Sequence, residues 1–176
     1  MIWDVDGTLM AHHNTCVAEE FQSTLARLLE RSDVKQVILS NCGETRFAEL
    51  GRIFPEIPVL KAYTKEGNET VLRSLVGGVE RWSDGGERGN GDRVLQERLT
   101  PLKKPSGELV EFAIQQAGSP ARERVYMVGD QYFTDIAGAN LAGIKSIKVP
   151  TFEPASFPFP VRSFQLIERV LYRLMY

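Results

Sequence analysis

Five short apolar, β-branched runs, Ile2 to Val5, Gln36 to Leu39, Pro58 to Ala62, Val125 to Val128 and Ile144 to Val149, alternate with segments of helical spacing. No other feature limits the fold as tightly. Strand, helix, strand repeated in this way implies right-handed crossovers and a parallel sheet. The helical segments are legible individually. Val17, Phe21, Leu25, Leu28 and Leu29 form one stripe, with Asn14 and Thr15 as candidate caps. Further helices are predicted over Glu44 to Phe54, stopped by Pro55, over Gly107 to Ala117, and over Thr134 to Ala142 with Gly143 as a C-terminal cap. The expectation is a Rossmann-like α/β fold of about five parallel strands with helices on both faces. A chain of 176 residues with 43% hydrophobic content suits one such domain, over residues 1–176.

In sheets of this kind ligands bind beyond the carboxyl ends of the strands, and the polar residues of this chain cluster there. Asp4 and Asp6 end the first run, Ser40 and Asn41 the second, and Asp130 and Asp135 follow the fourth. Lys103-Lys104-Pro105 precedes a helix. Residues two apart on an extended chain share a face, so Asp4 and Asp6 can address one ligand. Two carboxylates so close raise the cost of ionising each other unless a cation intervenes. Taken singly, each cluster has an ordinary structural explanation: a turn, a helix cap, a solvated lysine pair. Together, in the order acid, hydroxyl, lysine, acid, they form a pattern.

"DVDGTL", the apolar run into "SN", "KP" ahead of a helix, and "GDQYFTD" resemble, in order, the four motifs of the haloacid dehalogenase superfamily of phosphohydrolases. "GDQYFTDIAGANLAG" and "IERVLYRL" are similar to its small phosphatidylglycerophosphate phosphatase-like branch, subfamily III. The resemblance implies a Mg²⁺-dependent phosphomonoester hydrolase with Asp4 as nucleophile and Asp6 as general acid and base. It implies Mg²⁺ ligands in the side chains of Asp4 and Asp130 and the main-chain carbonyl of Asp6, with Asp135 as an orienting residue behind them. Ser40, Asn41 and Lys104 would bind phosphate. Lys104 is preferred to Lys103 because it abuts Pro105, and Lys65 is a further alternative. Gly7 would let the backbone approach the phosphate closely.

Against the branch pattern, residues 63–100 are an insertion after the third run, rich in glycine, with a short helix expected over Glu69 to Val76. It is expected to form a flexible flap over an otherwise open, capless site, with Trp82 as either a substrate clamp or an anchor on the core. The first strand is short, and the native start is allowed to lie upstream of Met1. His12-His13 reads as a solvated loop and Cys42 as a small buried thiol. The terminal stripe of Phe164, Ile167, Val170, Leu171 and Leu174 is expected to pack on the core rather than lie at a membrane interface.

A net charge of -2 gives no general attraction for nucleic-acid polymers. Cys16 and Cys42 make neither a disulfide framework nor a metal spacing. No apolar stretch reaches the roughly 20 residues needed to span a bilayer. The resemblance implies a small phosphorylated substrate as the partner, and these bulk properties place the expected protein in the cytoplasm, with room for transient contact with a membrane surface. Phospholipid head group, nucleotide and sugar phosphate all stay open as substrates. Two other functional classes compete: a receiver-like phosphoacceptor module, disfavoured by the second acid two residues from the first, and a catalytically silent binding domain, disfavoured because every catalytic position is filled.

Overall fold

The computed structural model describes residues 1–65, 69–85 and 97–175. The five predicted strands are present as β1 (Ile2–Trp3), β2 (Val37–Leu39), β3 (Val59–Thr64), β7 (Tyr126–Gly129) and β8 (Lys145–Lys148), all parallel in the order β3-β2-β1-β7-β8. β1 is shorter than predicted because the amides of Thr8, Leu9 and Met10 all turn back onto the Val5 carbonyl. The Asp4 amide still bonds the Val128 carbonyl at 2.9 Å, which holds Asp4 at the carboxyl end of β1 beside β7. Between β1 and β7 the chain order reverses, creating the crevice where such sheets bind ligands.

Alternation along the strands sends successive side chains to opposite faces, so each face needs its own helices. Ile2, Val37, Leu39 and Leu60 pack with Leu109, Val110 and Ala113 of helix α3 (Gly107–Gln116) and Ala139 of α4 (Ala137–Leu141). Trp3, Ile38 and Val59 pack with Leu25 of α1 (Glu19–Leu29) and with Phe47 and Leu50 of α2 (Glu44–Ile53). Neither Asn14 nor Thr15 caps α1, whose N-cap position is Ala18 with no side-chain bond. Instead Asn14 Oδ1 accepts from the Thr15 amide at 2.7 Å and its carbonyl serves Arg46.

The insertion corrects the prediction most clearly. The helix expected over Glu69 to Val76 is a strand, β4 (Thr70–Val76), paired antiparallel with the whole of β3. β5 (Val79–Trp82) pairs with β4, and β6 (Thr100–Leu102) pairs with the end of β3 beyond the reach of β2. Val71 and Arg73 point inward at alternate positions, a period that suits a strand. Trp82 is an anchor, buried and stacked on Tyr63 with ring centroids 5.5 Å apart. The remainder of the expected flap, 66–68 and 86–96, lies outside the described residues.

The terminal stripe is the second correction. Helix α5 (Phe159–Met175) turns Phe164, Ile167, Val170, Leu171 and Leu174 to solvent and buries Gln165 and Glu168.

Candidate functional site

The carboxyl ends of β1, β2 and β7 meet the loop before α3 around a pocket of about 210 Å³ lined by Asp4, Asp6, Ser40, Asn41, Lys104 and Gln131, among others. A larger groove of about 430 Å³, at Met1, Lys35 and Tyr126, is lined by none of these acids.

Lys104 occupies the centre. Its Nζ lies 2.6 Å from Asp4 Oδ1 and 2.6 Å from Asp135 Oδ1, and all three side chains are buried. Asn41 fixes it there: the Lys104 amide donates to Asn41 Oδ1 at 2.7 Å, and Asn41 Nδ2 donates to the Lys104 carbonyl at 3.1 Å. The side chain of Asn41, expected at the phosphate, is thus engaged by the main chain of Lys104. Lys103 is exposed, and Lys65 faces Glu97 at 3.7 Å, so of the three lysines weighed Lys104 is the one beside Asp4.

Asp4, Asp130 and Asp135 each bring a carboxylate oxygen within 4.8 Å of the others. Thr8, at the turn after β1, bonds the first two, donating to Asp4 Oδ2 at 3.1 Å and lying 3.5 Å from Asp130 Oδ1. A single π-type turn over Tyr132–Ile136 presents Asp135, whose Oδ2 accepts from the Gln131 amide at 3.0 Å. Two glycines make room. A Cβ on Gly129 would stand 2.3 Å from Asp135 Cγ, and one on Gly7, where φ is +87°, would stand 2.9 Å from Asp130 Oδ2. Gly7 therefore clears space for the acid and for Phe157 as well as permitting the turn.

Burial dominates the titration of Asp4 and Asp130. It pushes Asp4 up to about 8, against the pull of the Lys104 ammonium and with further push from Asp135 and Asp130. It pushes Asp130 up to about 6, again helped by Asp135. Burial disfavours the charge on Lys104, but Asp135 and Asp4 outweigh it and hold the ammonium charged. Among the described residues, three clustered carboxylates thus meet one ammonium, which bonds Asp4 and Asp135, an excess of negative charge that a hard divalent cation with oxygen ligands would fit. The Asp6 side chain stands apart from this cluster.

Asp6 has a partner that sequence reasoning missed. Arg46 of α2, itself buried, donates from Nη2 to Asp6 Oδ1 at 2.7 Å and from Nη1 to the Asn14 carbonyl at 2.8 Å and Glu49 at 3.2 Å. The His13 amide adds a bond to the same Asp6 oxygen at 3.1 Å. Gln165 of α5 was also missed; its Nε2 lies 3.3 Å from Asp130 Oδ2. Such partners come from distant parts of the chain and carry no local motif. His12, expected in a solvated loop, is half-buried, lines the pocket and stacks on Phe157 at 4.6 Å, whereas His13 is exposed. Ser40 lines the pocket at the end of β2, and burial raises the neighbouring Cys42 thiol.

Fold and site together define a Rossmann-like α/β chain with a buried acid-lysine centre at the switch point of its sheet. Residues 101–152, which include Lys104, Asp130 and Asp135, match the HAD-hydrolase-like family. A stretch of 51 residues is 46% identical to pyrimidine 5'-nucleotidase YjjG of Escherichia coli (strain K12); it covers 29% of this chain and 22% of that protein. These two matches, each over less than a third of the chain, support the haloacid dehalogenase superfamily. An uncharacterized protein from Listeria monocytogenes serotype 4b aligns over 96% of this chain and 97% of its own, at 19% identity and a TM-score of 0.46.

Proposed function

We propose that this protein is a divalent-cation-dependent phosphomonoester hydrolase, with Mg²⁺ as the cation, acting through an aspartyl-phosphate on Asp4. The observation that carries this reading is the meeting of Asp4, Asp130, Asp135 and Lys104 in one buried cluster at the strand ends, with excess negative charge. Asp4 and Asp130, with the Asp6 main chain, would hold the cation, which favours ionised carboxylates and offsets the charge of an incoming phosphate.

Asp4 attacks phosphorus while the bond to the leaving oxygen breaks, and Asp6 gives that oxygen its proton. Water then attacks the aspartyl-phosphate, Asp6 takes the water proton, and inorganic phosphate leaves with Asp4 restored. Lys104 and the Ser40 hydroxyl stabilise charge on the transferring oxygens. Arg46 holds Asp6 in place through the 2.7 Å bond from its Nη2 to Asp6 Oδ1.

Substrates fall among nucleotides, sugar phosphates and phosphatidylglycerophosphate-like lipids. The test is phosphate release from such monoesters. Activity should require Mg²⁺, vanish in excess chelator and be inhibited by Ca²⁺, whose larger coordination shell misaligns the attacking carboxylate. Full turnover in chelator would overturn the mechanism.

A further inference from the structure

Helix α5 sits with its polarity reversed. Leu166, Ile167 and Leu174 are 62%, 53% and 77% exposed, with Phe159 and Val170 on the same side, while Gln165 and Glu168 are 4% and 2% exposed. The inward face is held by hydrogen bonds: Glu168 Oε1 accepts from the Phe133 amide at 2.8 Å, and Gln165 reaches Asp130. The outward face is a continuous apolar stripe about 25 Å long, larger in side chains than a monomer ordinarily leaves in water.

We propose that this face is a docking surface for an anionic lipid bilayer, with α5 lying in the plane of the interface. Charge decides the occupant. Arg162, Arg169 and Arg173 are exposed and recur at i, i+7 and i+11, so they form one row along the border of the apolar stripe. Lys148 of β8 adds a neighbouring positive charge beside Arg169. The one acid of the helix, Glu168, is turned inward. The sequence alone shows a helix of mixed charge; its exposed surface is purely basic, on a chain whose net charge is -2.

A second copy fits less well. An antiparallel twofold pairing would set the arginine rows against each other, and in either twofold orientation α5 offers no exposed acid to meet them. A spanning role is excluded for the described helices, none of which is long and apolar enough to cross a membrane. A basic row beside a broad apolar stripe suits an interfacial helix, whose arginines reach anionic head groups while the apolar side chains enter the acyl boundary. Because Val161 at the start of α5 lines the pocket, docking would also hold the pocket next to the bilayer surface.

The experiment is co-sedimentation of the full chain with vesicles of phosphatidylcholine and phosphatidylserine mixed about two to one. Phosphatidylserine carries no phosphomonoester, so binding is read without turnover and does not depend on the phosphatase reading. The chain should bind these vesicles at least roughly tenfold more tightly than phosphatidylcholine alone, and less so as salt rises. Ile167→Glu with Leu174→Glu should lose at least roughly tenfold in binding, and Arg162→Glu with Arg173→Glu should abolish the preference for phosphatidylserine. Circular dichroism checks each fold, and if the apolar-face variant does not fold the arginine pair carries the test. No binding to the mixed vesicles, or binding unchanged in the folded variants, overturns the proposal. So does a wild-type dimer that Ile167→Glu with Leu174→Glu dissociates without any vesicle binding, which assigns the face to a second copy. Retention on polyglutamate without vesicle binding also overturns it, in favour of an acidic protein.

Discussion

Two buried charged clusters lie on this sheet, and they differ in balance. At the switch point, Asp4, Asp130 and Asp135 lie together and Lys104 ion-pairs with Asp4 and Asp135. Toward the antiparallel edge, Glu44 accepts from Lys61 at 2.5 Å, Tyr63 at 2.9 Å and Arg73 at 2.5 Å, and Glu80 accepts from Arg73 at 2.7 Å and Trp82 at 2.5 Å. The second cluster pairs two cations with two carboxylates, and aromatic faces close over it: the Arg73 guanidinium lies 4.5 Å from the Phe47 ring centroid and 5.0 Å from that of Trp82. The titrations follow the balance. In the first cluster burial pushes Asp4 and Asp130 up; in the second, burial works against Glu44 but the bonds from Lys61, Tyr63 and Arg73 outweigh it and hold the carboxyl low. A balanced buried network holds structure together. An unbalanced one needs something from outside the chain.

The largest expected effect breaks this comparison at its functional end. Asp4→Asn should lower phosphomonoester turnover by at least about 10⁴-fold, about 5.5 kcal/mol, because an amide does not attack phosphorus. The thermal midpoint should hold or rise, since one of three crowded carboxylates is neutralised. A collapse of the midpoint would place Asp4 in the structural class instead.

The converse holds for Arg73→Leu. It removes a central cation, leaves Glu80 without its ion pair and should cost about 3 kcal/mol in denaturant unfolding with kcat near the parent value. Lost turnover at unchanged stability would merge the two clusters into one site.

Arg46 bridges the categories, being a buried cation attached to the proposed acid. Arg46→Lys should reduce kcat on an alkyl phosphate by roughly 30-fold, about 2 kcal/mol, with KM near the parent value. An aryl phosphate, whose leaving group hardly needs a proton, should lose less in single-turnover phosphorylation. Equal loss on both would remove Asp6 positioning as the role of Arg46.

The smallest effect is a pH dependence of the balanced cluster. The folded pKa of Glu44 lies below its unfolded value, so the unfolded chain binds more protons as pH falls. Its contribution is therefore present above the ordinary glutamate range and is lost as pH drops through the lowered value. With a side chain about one third exposed, screening limits this to about 1 kcal/mol or less. Denaturant midpoints at neutral and acidic pH, compared with Glu44→Gln, isolate it; an identical acid loss in the variant would assign the effect to other groups.

What the sequence determined by itself was local. Strand and helix periods along the chain gave the five parallel strands and the helices between them, because a two-residue or a 3.6-residue repeat is written in neighbouring positions. Placing polar residues at strand ends then brought Asp4, Asp6, Ser40 and Lys104 to one pocket, with Asp130 and Asp135 clustered against Asp4, since that sheet topology brings its carboxyl ends together. Tertiary structure decided whatever depends on a partner far along the chain. Val71, Leu72, Leu75 and Val76 satisfy a helical as well as a strand period, and the open edge of β3, offering a full row of backbone partners, selected the strand. Arg46 could not be assigned to Asp6, nor Gln165 to Asp130, from separations of 40 and 35 residues without local signal. Helix α5 was turned the opposite way from its apolar stripe because the Phe133 amide donates to Glu168 and the Asp130 carboxylate accepts from Gln165. Leaving buried polar groups such as these unsatisfied costs about 1–3 kcal/mol each, so they compete directly with the burial of an apolar face.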